Sequence, residues 1–199
     1  AFAKATSDLD KIAAKYKGGK DSKEYKKAER ALSVYGAKGV NNGVFILSND
    51  GEGSGRTSTN GTTVAKTKDN PTGQRINVEF DPDVFSKEGF ETAVAHEGSH
   101  AADGADWVKS GFKDAMNPTE YQTEFDAYTV SSLIAEASGY PAYTMQITLN
   151  ATDSKSPYAG FLLSSDIWNS SWAAADVEVK RQAGIKKFLR YDNLYNLTP

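Results

Sequence analysis

The spacing of the histidines constrains this chain more than any other feature. There are only two histidines in 199 residues, and both belong to His96-Glu97-Gly98-Ser99-His100. Residues four apart lie on one face of an α-helix, about one turn from each other, so the two imidazoles can bind one zinc ion at about 2.0 to 2.1 Å. Glu97 lies beside them, where a carboxylate can take a proton from a zinc-bound water and pass it to a leaving amine. The motif therefore predicts a metal-binding helix with hydrolytic chemistry.

The residues around the motif favour a helix. An alanine-rich segment from about Lys87 to Ala102 follows a possible N-cap at Ser86, and we expect the helix to end near Gly104. Gly98 lies inside this helix, where glycine costs about 1 kcal/mol relative to alanine. That cost indicates close packing or a close approach of substrate at Gly98.

A catalytic zinc needs a third protein ligand and one open coordination position. Both histidines are already used and the chain has no cysteine, so the third ligand must be an aspartate or a glutamate. We favour Glu124, because a second helix that crosses the first can bring one carboxylate to the metal. Ala127 and Ser131 continue the same face with small side chains, which would let the two helices approach closely.

Other carboxylates compete with Glu124 for this position. Asp106 follows His100 by six residues, after a predicted tight turn at Gly104, and ranks second. In an H-E-x-x-H-x-x-G-x-x-D pattern, Gly104 comes one place late and Asp103 occupies the expected glycine position. Asp103 is better placed to orient a ligand histidine by accepting its second N–H. Two further carboxylates are less favoured ligands, Glu120 and Asp126.

No histidine is left to stabilise the negative charge that develops on a carbonyl oxygen during hydrolysis. An arginine or one of three tyrosines must supply this donor if a side chain does: Tyr121, Tyr128 or Tyr143. We favour Tyr128, one helical turn beyond Glu124. A half-buried core aromatic is an equally good interpretation of that residue.

Periodicity and turn residues predict the other helices. A helical hairpin is expected from about Thr6 to Tyr35, broken at Gly18-Gly19, with Asp21 or Ser22 capping its second helix. Residues 1–40 hold ten Lys or Arg against five Asp or Glu. This basic hairpin presents either a solvated face or a docking surface for a delivery partner. Two more helices are predicted, one with Asn117 as N-cap that ends at Ser138-Gly139, and one from about Ala173 to Arg190.

The remaining segments predict a small, mostly antiparallel sheet. Strands are expected at Gly43–Ser48, Thr62–Lys66 and Arg75–Phe80, and a weak strand at Tyr143–Leu149. Residues Asn49–Asn60 are expected to form a mobile loop. The fold class is therefore α+β.

Composition excludes several classes of protein. A net charge of −3 argues against a generally basic nucleic-acid binder. No apolar run approaches the roughly 20 residues of a membrane span. Residues 1–199 are expected to form one domain, with the hairpin at 1–40, a core at 43–138 and a C-terminal segment at 139–199. Because the chain begins at Ala1 without a signal-peptide pattern, we expect a domain excised from a larger protein.

The motif and the segment Glu124-Phe125-Asp126-Ala127-Tyr128 together resemble zincin metallopeptidases whose third ligand is a glutamate in an E-x-x-A setting. The order of a small sheet, a motif helix and a ligand helix is similar to the core of that superfamily, although the chain lacks the N-E-x-x-S-D context of thermolysin-like members. The resemblance implies a zincin-like fold, with His96, His100 and Glu124 as zinc ligands and Glu97 as general base. It also implies that Arg75–Phe80 is the edge strand that pairs with an extended peptide.

The H-E-G-x-H-A-x-D and E-x-x-A-Y segments also resemble metallopeptidase toxin domains at the C-termini of bacterial polymorphic toxins, such as Rhs or type VI secretion spike proteins. This second resemblance implies a secreted effector delivered into a target cell, with a protein or peptide substrate and an immunity or inhibitor protein. Two other functions stay open. One is a peptidoglycan amidase or hydrolase with the same zinc site, and the other is a non-enzymatic zinc-binding module in which Asp106 and Glu124 both bind the metal.

Overall fold

The computed structural model describes residues 2–36, 42–48, 55–68, 70–81, 90–139 and 174–191, together with 197 and 199. These residues form an α+β structure, as predicted, and none of their helices is long and apolar enough to cross a membrane. The elements in chain order are α1 (Phe2–Lys15), α2 (Lys23–Ser33), β1 (Val44–Ser48), β2 (Gly55–Thr63), β3 (Gln74–Phe80), α3 (Phe90–Lys109), α4 (Glu120–Ser138) and α5 (Ala174–Tyr191).

The predicted N-terminal hairpin is confirmed, although α1 begins at Phe2, earlier than expected. The hydroxyl of Ser22 accepts a hydrogen bond from the backbone N–H of Tyr25, so Ser22 rather than Asp21 caps α2. The turn between the helices places Gly18 at φ 101°, in the left-handed region that favours glycine. Both helices bury apolar faces against α3 and α4, and they form the back of the domain core.

The sheet has the order β1-β3-β2, and it is mixed rather than mostly antiparallel. Strand β1 runs parallel to β3, whereas β2 runs antiparallel to it. The expectation that Arg75–Phe80 is an edge strand is wrong, because β3 is paired on both sides. Pairing on both sides makes β3 the central strand. Its alternating residues Ile76, Val78 and Phe80 are buried in the core.

Strand β2 corrects a second prediction. Its residues Gly55–Thr63 fall mostly within the segment Asn49–Asn60, for which we expected a mobile loop, and the predicted strand Thr62–Lys66 overlaps it only at its end. Glycine, serine and asparagine favour turns, whereas threonine favours strands, so the segment alone has a mixed preference. Ladder pairing with β3, such as Thr57 opposite Val78, supplies here the backbone hydrogen bonds that intrinsic preference does not favour.

Helix α3 is longer than predicted at its C-terminal end. It continues through Gly104 to Lys109 and does not turn there. Gly104 faces the sheet, where an added Cβ would lie 3.5 Å from Thr59 and 3.9 Å from Ile76. Val108 is also buried, at 1% exposure. Burial of this last segment outweighs the roughly 1 kcal/mol that glycine costs inside a helix. The predicted N-cap Ser86 lies outside the described residues.

Helix α4 begins with Thr119 as N-cap rather than Asn117. Thr119 and Gln122 form a reciprocal capping box, which satisfies two backbone N–H groups at the start of the helix. The predicted end is confirmed, since Gly139 adopts φ 75° and its N–H bonds to the last turn. The final helix is confirmed within one residue, as α5. The weak strand predicted at Tyr143–Leu149 lies outside the described residues.

A fully buried arginine, Arg181, connects α5 to α4 and α1 by hydrogen bonds. Arg181 donates hydrogen bonds to the Ser132 hydroxyl at 2.6 Å and to the Glu136 carboxylate at 2.6 Å, both on α4. It also donates to the Tyr16 hydroxyl at 2.8 Å and to Glu178 of its own helix at 3.1 Å. Each nitrogen of the guanidinium therefore has a partner, as a buried charge requires.

Candidate metal centre

Helix α3 carries both histidines on the face that it turns toward α4. Their Nε2 atoms lie 3.2 Å apart, as expected for residues one helical turn from each other. The opposite side of the helix is buried in the core, where Val94 and Ala95 are fully covered. Gly98 also lies on the buried side, where an added Cβ would meet the backbone oxygen of Ala31 at 2.2 Å. Close packing of α3 on α2 is therefore the reason for a glycine inside the motif.

Helix α4 packs across α3 and brings Glu124 to the histidines. One carboxylate oxygen of Glu124 lies 3.5 Å from His96 Nε2, and the other lies 3.4 Å from His100 Nε2. Two ligand atoms bound to one zinc at tetrahedral angles would be about 3.3 to 3.4 Å apart. The separation of the two imidazole nitrogens is within about 0.2 Å of that spacing, and each nitrogen has a different oxygen of the Glu124 carboxylate at a similar distance. His96, His100 and Glu124 together could hold a metal ion.

The carboxylate of Glu124 shows a second sign of a metal site. Its Oε2 atom is buried and has no well-formed hydrogen bond, since the His96 Nε2 atom is 3.5 Å away. A buried carboxylate oxygen without a partner is unfavourable, because burial removes water that would otherwise solvate its charge. A cation between Glu124 and the two imidazoles would satisfy this oxygen, so the residues present fit a metal ion.

The three side chains influence one another's protonation. Burial, together with the nearby His96, lowers the pKa of His100 to about 4. Burial opposes the charged form of Glu124, but the two histidines outweigh it and hold the pKa of this carboxyl below its ordinary value. Burial also lowers the pKa of His96, yet the carboxylates of Glu124 and Glu97 outweigh burial and raise it. Near neutral pH, His100 is therefore neutral and Glu124 ionised, the forms in which these residues bind metals.

Glu97 lies next to His96 but is held by the sheet. It is 7% exposed, and burial raises its pKa above the ordinary value of a glutamate. The hydroxyl of Thr57 on β2 lies 2.7 Å from Glu97 Oε2 and 3.1 Å from the backbone oxygen of the same residue. The backbone of Gly55 approaches so closely that an added Cβ would lie 2.6 Å from Glu97 Cγ. Strand β2 therefore contacts the predicted general base directly.

The other candidate ligands do not belong to the group of His96, His100 and Glu124. Arg30 on α2 binds the carboxylate of Asp106 at 2.6 Å and that of Asp103 at 2.9 Å. Asp106 lies on the helix, because α3 does not turn at Gly104. The predicted role of Asp103 in orienting a histidine stays a prediction, since the contact recorded for its carboxylate is with Arg30. Of the two less favoured residues, Asp126 pairs with Lys27 and Glu120 is exposed at the start of α4.

Tyr128 lies beside the metal-binding group. Its ring meets that of His96 edge to face, with the centroids 4.7 Å apart. It also packs against Ile185 and Leu189 of α5. Tyr121 lies in the same apolar cluster and stacks on Phe125. The third tyrosine considered, Tyr143, is outside the described residues.

The group opens into a cleft of about 430 Å³. One side, which we call the helix wall, consists of His96, Glu97, His100 and Glu124. The other side, the strand wall, consists of residues Gly55–Thr59 of β2. The strand wall was not predicted from the sequence, because the composition of residues Gly55–Thr59 is typical of a loop.

Two further residues of the cleft were also missed, Trp107 and Asn117. A signal for Trp107 is present in the sequence. It follows His96 by eleven residues, which is three turns of helix and returns to the same face. The early end predicted for α3 hid this relation. Asn117 was expected to cap α4, and it instead lines the cleft just before that helix.

Comparison with known proteins gives no match to a protein family, to a curated protein or to a solved structure. Function is therefore argued from the site itself.

Proposed function

We propose that this protein is a zinc-dependent metallopeptidase. The observation that carries the proposal is the convergence of His96, His100 and Glu124, whose side-chain nitrogen and oxygen atoms come close enough to bind one metal ion. Glu97 adjoins this group, and all four side chains line one open cleft. Two imidazoles and one carboxylate with a position left open form a ligand set typical of catalytic zinc.

The proposed chemistry divides between the metal and the protein. A bound zinc ion would lower the pKa of a water molecule to about 7 and polarise the scissile carbonyl. Glu97 would accept a proton from the attacking water and transfer it to the amine nitrogen as the peptide bond breaks. Tyr128, packed against His96, is proposed to stabilise the charge that develops on the carbonyl oxygen.

The proposed substrate is an extended peptide or protein segment. Because β3 is central, the peptide would pair with β2, whose residues Gly55–Thr59 line the cleft and whose recorded partner within the described sheet is β3. Main-chain hydrogen bonds to such a strand bind peptides without strong dependence on sequence. This arrangement replaces the predicted pairing with Arg75–Phe80.

Peptidoglycan amidase or hydrolase activity is the second candidate. The partly polar lining of the cleft favours it, because Thr57, Ser58 and Thr123 line the same cleft as Trp107. Such a surface suits a polar cell-wall peptide. A non-enzymatic zinc module would need Asp106 as a fourth ligand, whereas Asp106 is bound by Arg30.

We also propose that the protein acts as a bacterial effector delivered into a target cell. The resemblance to toxin metallopeptidases supports this context, and it implies a delivery partner and an immunity or inhibitor protein. Production of the chain inside bacteria tests the idea. We expect the wild-type chain to inhibit growth and the Glu97→Ala variant not to inhibit it. Normal growth of bacteria that contain the wild-type chain in the cytoplasm and, in a second strain, in the periplasm would contradict the effector proposal.

The decisive test of the enzymatic proposal is Glu97→Ala. We expect the variant to bind one zinc ion per chain and to lose about 100- to 10,000-fold in kcat, because this is the range that general acid–base catalysis contributes. Zinc content by elemental analysis, and hydrolysis of mixed peptide and cell-wall fragment libraries, provide the measurements. Glu120→Ala is the matched control, since Glu120 is exposed on α4. Unchanged hydrolysis in Glu97→Ala would overturn the mechanism.

A further inference from the structure

The strand wall holds Glu97 through one specific hydrogen bond. The Thr57 hydroxyl has one proton and two acceptors within reach, the Glu97 carboxylate at 2.7 Å and the Glu97 backbone oxygen at 3.1 Å. The carboxylate is nearer, and hydrogen bonds to an ionised acceptor are shorter and stronger than those to a neutral one. The bond therefore connects Thr57 to Oε2 and leaves Oε1 to accept a proton.

Steric contact fixes the same side chain from a second direction. The backbone of Gly55 leaves no room for a Cβ, which would lie 2.9 Å from Glu97 Oε1 and 3.0 Å from Cδ. Gly55 and Thr57 are two residues apart on β2, so both face α3. A buried carboxylate that is bounded by a backbone on one side and a hydroxyl on the other has little rotational freedom.

We propose that Thr57 is a positioning residue for catalysis, whose hydroxyl holds the Glu97 carboxylate in the orientation that proton transfer requires. This assignment rests on the proposed function, because it assumes that Glu97 is the general base. Proton transfer requires the acceptor within hydrogen-bond reach of the donor, and a misplacement of about 1 Å can cost about 100-fold in rate. In this proposal Thr57 acts only through Glu97, to which its hydroxyl is hydrogen-bonded.

Two substitutions separate the hydroxyl from the methyl group of Thr57. Thr57→Val keeps the branched shape and removes the donor, whereas Thr57→Ser keeps the donor and removes the methyl. If the hydroxyl positions Glu97, we expect Thr57→Val to lower kcat by about 10- to 100-fold. Its KM and zinc content should stay unchanged, because the substitution alters neither the main chain of β2, with which the peptide is proposed to pair, nor the metal ligands. Thr57→Ser should keep most of the wild-type kcat.

A structural role for Thr57 predicts the opposite order. A shape requirement would make Thr57→Ser the damaged variant and leave Thr57→Val active. Thr67→Val is the matched control, since Thr67 follows β2 outside the cleft, where its hydroxyl accepts a hydrogen bond from the backbone N–H of Asn70. We expect this control to keep the wild-type kcat.

A readout without turnover tests the Thr57–Glu97 bond itself. In the metal-free chain, the effects of Thr57→Val and Glu97→Ala on the free energy of unfolding should be non-additive, because each substitution removes one partner of the same hydrogen bond. Additive effects would overturn the proposal. So would an active wild-type enzyme whose Thr57→Val variant keeps its kcat, and this result would leave the proposed function intact. A wild-type chain without hydrolytic activity would instead overturn the proposed function and this assignment with it.

Discussion

The two walls of the cleft reach the same site by different routes. The helix wall combines a four-residue spacing on α3 with one carboxylate from the next helix. The strand wall has no motif, and Gly55 and Thr57 reach Glu97 only because β2 pairs with β3 in one register. The difference shows that metal ligands can follow from local spacing, whereas the groups that hold a general base can depend on tertiary pairing. We therefore expect substitutions of the metal ligands on the helix wall to lower zinc affinity, and substitutions on the strand wall to lower kcat without changing zinc affinity.

The largest effect should come from removing the ligand on α4. We expect Glu124→Gln to weaken zinc binding by more than about 100-fold, because losing only an outer partner of a ligand costs about 10- to 100-fold. Competition with a chromogenic chelator measures the affinity. Asp106→Asn is the matched control, since the Asp106 carboxylate pairs with Arg30. Zinc loss in Asp106→Asn with retention in Glu124→Gln would replace Glu124 by its rival.

The contrast between the walls also explains what could be predicted from the sequence. The i, i+4 histidines and the neighbouring glutamate form a local pattern, and α4 brings Glu124 to them, as expected for a second helix that crosses the first. The strand wall was interpreted as a loop, because Gly55, Ser58 and Asn60 individually favour turns. Only the ladder with β3 makes this segment a strand, and that pairing is not encoded in its own residues.

The predicted end of α3 was wrong for a related reason, because local sequence signals compete with burial in the core. Gly104 matched the rule for a helix stop, but Val108 beyond it is buried in the core. Continuing the helix buries Val108 and brings Trp107 to the cleft. Because α3 continues, Asp106 lies on the helix and pairs with Arg30. The turn predicted at Gly104 was the reason for ranking Asp106 as the second candidate ligand.

A smaller effect should come from filling space behind the helix wall. In Gly98→Ala the new Cβ would meet the backbone oxygen of Ala31 at 2.2 Å, so the two helices must separate. We expect the free energy of unfolding to fall by about 1 to 3 kcal/mol, the usual cost of overpacking. Urea denaturation of the metal-free chain measures it.

Gly104→Ala provides the control for Gly98→Ala, because it makes the same substitution in the same helix. Its Cβ would meet its nearest neighbour at 3.5 Å, which is ordinary contact. We expect stability to be unchanged or to rise by up to about 1 kcal/mol, since alanine is the better helix former. Equal destabilisation of both variants would show that helix interior position, rather than the approach to α2, accounts for Gly98.

The smallest effect should come from Gly55→Ala on the strand wall. The new Cβ would lie 2.6 Å from Glu97 Cγ, so the Glu97 side chain must move, and we expect about a tenfold loss of kcat with zinc affinity unchanged. In a Glu97→Ala background, Gly55→Ala should cost nothing further, since the side chain that it displaces is gone. A tenfold loss that persists in that background would mean that the strand wall acts on the substrate rather than on the general base.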